Sequence, residues 1–125
     1  MIMKICEVMS RIDEVKANVM SDPEKIKYLD TLDRTVMREI IERHEADAPE
    51  TFCGYTEQTD MQTELLIYPP YDEAYIYYLS AMIDYSNGET ALYNNSMSMF
   101  ESVYDAFARD FHRTHMPKKK KIKFF

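Results

Sequence analysis

The chain has 125 residues, the size of one ordinary domain, and its 46% hydrophobic and 30% charged residues are the balance of a folded protein, not a disordered one. Two glycines are too few for an all-β chain rich in tight turns, and they nearly exclude a phosphate-cradling loop. The net charge is −7, but five of the 15 basic residues fall in residues 118–125, where there is no acid; the rest of the chain therefore holds 10 basic against 22 acidic groups, or −12, which excludes binding nucleic acid by phosphate neutralisation.

Ten tyrosines, six phenylalanines and ten methionines stand beside no tryptophan, a set that suits faces buried against a partner as well as an ordinary core. Cys6 and Cys53 share no metal-type spacing with each other or with a histidine, and read as free buried thiols in a reducing compartment. No secretory pattern opens the chain, and no window approaches the roughly 20 apolar residues of a membrane span. The expectation is a protein made and folded in a cytoplasm.

In chain order, Ile5, Met9, Ile12, Val15 and Val19 recur in steps of three and four, which predicts a first helix over residues 4–17. Ser21-Asp22-Pro23-Glu24 is a helix start. Ser21 can cap with Glu24 in the capping-box position, or Asp22 can cap and leave Pro23 at the first helical position. The stripe Ile26, Leu29, Val36, Met37, Ile40, Ile41 and His44, with Leu32 and Asp33 alongside, carries this second helix over 23–45. Residues 46–70 break the period with Pro49, Gly54, Pro69 and Pro70. A long ordered loop or a β-hairpin is expected there, tied down by Phe52, Tyr55 and the run from Leu65 to Tyr68. A third helix over 71–87 presents Tyr71, Tyr75, Tyr78, Leu79, Met82 and Ile83, and Asn87-Gly88 stops it. A fourth over 89–113 presents Leu92, Met99, Phe100, Val103, Phe107 and Phe111, with Tyr93 and Tyr104 flanking, and Pro117 ends it. The short link makes the last two helices antiparallel neighbours.

Catalytic signatures are missing: no GxSxG, P-loop, HExxH or dinucleotide turn occurs. His44-Glu45 with Asp47, and His112 with His115, could each suggest a metal site. Neither fixes a ligand geometry, and both read better as polar helix ends. No catalytic, cofactor-binding or metal residue is assigned.

A resemblance is carried by Thr63-Glu64-Leu65-Leu66-Ile67, by the run from Pro70-Tyr71-Asp72-Glu73 to Tyr78-Leu79, and by Ile83-Asp84 and Asn87-Gly88-Glu89. Tyr93-Asn94-Asn95-Ser96, Met99-Phe100, Tyr104 and Arg113-Thr114-His115-Met116-Pro117 continue it, and Asp22-Pro23-Glu24-Lys25-Ile26 matches more loosely. In these residues the chain resembles the head–tail connector (adaptor) proteins of long-tailed phages and prophages of Gram-positive bacteria. The likeness implies a mainly α subunit in a homo-oligomeric ring, commonly twelve-fold, below the portal protein. Such a ring extends the DNA channel, lets DNA pass without sequence-specific binding, and joins the capsid to further neck or tail proteins. It implies a virion (neck) location after synthesis in the host bacterial cytoplasm, with no cofactor, no membrane and no catalysis.

Together these readings give a four-helix, antiparallel-rich bundle over 1–117 with a loop or hairpin arm between helices two and three, and a basic–aromatic tail over 118–125. The tail residues Lys118, Lys119, Lys120, Lys121, Ile122, Phe124 and Phe125 are expected to bind the portal or a neighbouring subunit, by lysine charge followed by ring burial. Channel DNA is the rival acceptor. Phe52, Tyr55, Met61, Leu65, Leu66 and Tyr68 are the candidate subunit-interface arm, because their apolar content exceeds that of a free surface loop. Two other classes compete with the connector: a soluble phage-encoded regulatory or assembly-chaperone binding protein, and an enzyme built on an acidic site that matches no known motif.

Overall fold

A computed structural model describes residues 2–41 and 52–114. It is mainly helical, with α1 (Ile5–Val15), α2 (Asp22–Glu39), α3 (Glu73–Ser86) and α4 (Thr90–Thr114), and no strand among the described residues.

Several helix ends trace to specific hydrogen bonds. At the start of α1 the orphan N–H groups are met by a distant loop: Ile5 N donates to Thr63 O and Cys6 N to Met61 O, both at 3.0 Å. The Glu7 carboxylate returns to the Lys4 N–H at 2.8 Å. Just upstream, Leu65 N donates to Met3 O at 2.9 Å, and Lys4 faces Glu64 in an isolated antiparallel bridge. The extended character of 59–68 is thus used in pairing with residues 3–6, not in a hairpin of its own among the described residues.

α1 ends at Val15, two residues earlier than expected. Lys16 turns to extended backbone (φ −142°, ψ 121°), and Asn18 holds the bend through Lys16 O and the Met20 N–H. Consequently Val15 (55% exposed) and Val19 (97%) point to solvent, and the expected stripe is corrected to Ile5, Val8 and Ile12. At α2 it is Ser21 that caps, accepting the Glu24 N–H at 3.3 Å, with Pro23 in the first turn. The helix closes at Ile40, and the expected continuation through His44 to Glu45 lies outside the described residues.

α3 is the central element and packs against the other three helices. Ala74, Tyr75, Ile76, Leu79, Ser80, Ala81, Ile83 and Asp84 are all buried, so that burial wraps most of its circumference. Between α3 and α4, Glu89 N donates to Asp84 O at 2.9 Å and Gly88 N to Tyr85 O at 3.1 Å, the paired bonds of a Schellman stop. Gly88 supplies the positive φ (74°) that the motif requires.

Aromatic rings stitch the helices together. Tyr28 of α2 meets Tyr78 of α3 at 6.4 Å, Tyr78 meets Phe100 of α4 at 5.1 Å, and Phe100 meets Tyr104 at 5.4 Å. Farther along α4, Phe107 lies fully buried, 5.0 Å from Tyr68 and 5.9 Å from Phe111. Such ring pairs add roughly 0.5–1.5 kcal/mol each beyond their buried area.

Candidate functional site

The most unusual group inside the molecule is Asp33, which is fully buried. Its Oδ1 accepts the Tyr75 hydroxyl at 2.7 Å, and its Oδ2 accepts the Tyr55 hydroxyl at 2.5 Å and the Leu66 N–H at 3.1 Å. The Tyr75 oxygen in turn accepts the Ile67 N–H at 2.7 Å. One carboxylate of α2 therefore fastens α3 and both ends of the 55–67 loop.

Burial pushes the Asp33 carboxyl up to about 6, against the opposing pull of its three donors. Burial likewise raises the Tyr55 and Tyr75 hydroxyls, with the Asp33 charge as the next cause, so that they remain donors. An acid tuned this way in a cleft would be a proton-transfer candidate. Here it is sealed, and none of the three clefts described below is lined by it.

A second anchor lies beside it. Asp30 pairs with Arg34 one turn on at 3.0 Å and also accepts the Tyr55 N–H at 2.9 Å. Gly54 (φ 80°) passes so close that a Cβ there would lie 2.3 Å from Arg34 Nη2 and 2.4 Å from Asp30 Oδ1. Two further buried charges are matched: Asp84 by Lys16 at 2.9 Å and Lys25 by Asp13 at 2.6 Å. No buried side-chain nitrogen or oxygen among the described residues lacks a partner.

The outer surface is less settled. From Thr90 to Phe100 there is no charged residue, in a chain where 30% are charged. Within that half of α4 no side chain before Phe100 is buried. Leu92 (48% exposed) and Met99 (44%), expected in the core stripe, instead face solvent, because α3 covers only one side of this half. They sit two turns apart on one face with exposed Asn95 between them. Tyr85 (67% exposed) meets Tyr93 at the hairpin tip as a tilted ring pair, ring centres 5.6 Å apart.

Among the described residues, three clefts stand out on the surface. One of about 440 Å³ lies at that tip, among Tyr85, Gly88, Thr90 and Tyr93. Another of about 460 Å³ separates the start of α2, at Pro23 and Lys27, from Tyr55 and Gln58. The third, about 600 Å³, runs along α1 over Ile2, Met3 and Cys6, with Glu7, Glu14 and Asp72 on its rim. It is the most apolar of the three in its exposed lining.

The candidate arm residues divide. Tyr55 and Leu65 are buried in the chain's own core, whereas Phe52, Met61, Leu66 and Tyr68 are half-buried against it. Intramolecular packing thus accounts for much of the apolar content that singled the segment out. Its outward residues are Cys53, Thr56, Glu57, Gln58, Asp60, Gln62 and Glu64. Lys118, Lys119, Lys120, Lys121, Ile122, Phe124 and Phe125 lie outside the described residues.

The free cysteines are also less covered than expected, Cys6 half-buried and Cys53 exposed. Among the described residues no three or more His, Cys, Asp or Glu side chains gather as a metal site, and no helix is long and apolar enough to cross a membrane. His44, Glu45, Asp47 and His115 fall outside those residues. Compared with family models, curated proteins and solved structures, the chain matches none.

Proposed function

We propose that this chain is a structural subunit of a phage neck, a head–tail connector that assembles as a ring below the portal, extends the DNA channel and joins capsid to tail. The observation that carries the assembly reading is the exposed, uncharged half of α4, with Leu92 and Met99 outward. Cores of protein interfaces are depleted of charge and enriched in aromatic residues and methionine. Two bodies that each carry strong negative charge repel, so a contact between copies is best made through a surface without charge. A ring joins one patch of each subunit to a different patch of the next. In this reading the α4 face is one patch, and the half-buried Phe52, Met61 and Leu66 of the 52–68 loop supply its counterpart on the neighbour. The resemblance supplies the remainder: portal and tail proteins as partners, DNA in the lumen, a neck location and a role without catalysis.

The test is assembly of the full chain, followed by light scattering after size exclusion, alone and with portal protein, and by electron microscopy of virions. Rings are expected, and Leu92→Lys with Met99→Lys should abolish them while leaving the helical signal and melting midpoint in place. A chain that stays monomeric with portal present, together with normal virions from the double variant, would overturn the ring and favour a monomeric regulatory or chaperone role.

A further inference from the structure

We infer that the acid-rimmed apolar groove along α1 is the docking site of the chain's own basic–aromatic segment, residues 118–125.

Three observations meet here. The first is shape and polarity: the groove is about 600 Å³, within the roughly 300–1,000 Å³ of clefts that hold a ligand, and Ile2, Met3 and Cys6 are among its lining residues. Phe124, Phe125 and Ile122 are apolar groups of matching chemistry.

The second is charge. Glu7, Glu14 and Asp72 stand on the rim, and Arg11, the cation among the lining residues, is held by Glu73 at 3.0 Å. Burial is the main cause that raises the Asp72 carboxyl; the neighbouring Glu73 and Glu7 charges add to it, and the Arg11 charge opposes them. The segment brings Lys118, Lys119, Lys120, Lys121 and Lys123 and no acid.

The third is reach. The Tyr68 hydroxyl bonds Asp110 at 2.8 Å and lies beside Thr114 at the end of α4. The Tyr68 ring packs 6.2 Å from that of Tyr71, whose next residue, Asp72, is on the groove's rim. The end of α4 is therefore two packed tyrosines away from the groove. Phe125 is eleven positions on from Thr114, and an extended chain of that length spans up to about 38 Å. That is long enough to reach the groove of the same subunit.

The inference does not rest on the ring reading, since a lone subunit can dock its own segment, and a failed ring would leave it standing. Cys6 in the groove and exposed Cys53 outside it supply a built-in pair of probes. In the full chain, iodoacetamide alkylation of Cys6 is followed by peptide mapping, with Cys53 as reference. Phe124→Ala with Phe125→Ala, and separately Glu14→Lys, should each speed Cys6 alkylation about tenfold, equivalent to about 1.4 kcal/mol of docking, and leave Cys53 unchanged. Equal Cys6 rates in the native chain and both variants would overturn the proposal and leave the groove open to some other partner. A second measurement uses Phe124→Cys in a Cys53→Ser background under mild oxidation. A disulfide to Cys6 is expected, as a linked monomer if the segment is the subunit's own and as a linked dimer if it is a neighbour's. Failure to form that bond would equally overturn the assignment.

Discussion

The two halves of α4 belong to one uninterrupted helix and are built on different terms. The second half carries Phe107 and Phe111 into a cluster with Tyr68 and Tyr71, and its outer face bears Asp105, Arg109 and Arg113. The first half has no charge and buries no side chain before Phe100, yet still turns Leu92 and Met99 outward. The same helical spacing of apolar residues thus serves the monomer's core in one half and leaves an uncovered face in the other. Periodicity reports that a face exists; what covers it depends on which elements besides α3 reach that part of α4.

Substitutions in the two halves should separate these terms. Phe107→Ala is expected to cost about 3–5 kcal/mol in urea denaturation, because a fully buried ring leaves a cavity behind. A cost below about 1 kcal/mol would show that the second half is not the anchor.

Next in size is the tie at Asp33. Its folded carboxyl is lifted from the ordinary 3.8 to about 6, so between those values the folded state holds a proton that the unfolded chain has released. Asp33 therefore lowers stability as pH rises through that window, with the full cost present above about 6 and none below the ordinary value. At 1.36 kcal/mol per unit the loss is on the order of 2–3 kcal/mol between pH 4 and pH 7. Asp13, held low by its bond to Lys25, works in the opposite sense, so the difference between the native chain and Asp33→Asn isolates the Asp33 part. That difference should change with pH in denaturation curves at pH 4, 5, 6 and 7; parallel curves would contradict it.

Gly88→Ala comes third. Nothing lies within 4 Å of the added Cβ, so the cost is the positive φ alone, about 1–2 kcal/mol. Its measure is the melting midpoint, and a larger drop would mean that the hairpin tip is packed more tightly than its exposure indicates. Smallest is the monomer's response to Leu92→Lys with Met99→Lys, under about 0.5 kcal/mol by the same denaturation, against the loss of assembly proposed above. A large destabilisation would erase the contrast between the halves.

Local signals in the sequence were sufficient where the structure has a local cause. Ser21 with Glu24 marked the start of α2, and Asn87-Gly88 marked the turn into α4, since both are settled within a few residues. Val15 and Val19 misled because their spacing continues past the point where Lys16 turns extended. Ala74, Ser80 and Ala81 carry no signal in the sequence, because burial around most of a helix leaves no period to read. Asp33 was visible beside the α2 stripe, but its role depends on Tyr55, Leu66 and Tyr75, which lie 22 to 42 residues away. The α1 groove was not legible either, as Asp72 reaches its rim only through the tertiary fold.

The bonds between residues 3–6 and the 61–65 stretch also bear on the order of folding. The α3–α4 hairpin closes across a three-residue link and can form early, because closing a short loop costs little entropy. α1 has no such local route: its first amides at Ile5 and Cys6 find acceptors only at Thr63 and Met61, nearly half the chain away. Its entry therefore waits on the rest of the chain. In the finished protein the amides of Ile5, Cys6 and Leu65 should exchange with solvent through one shared opening event, so the start of the first helix and the middle of the chain come apart together or not at all.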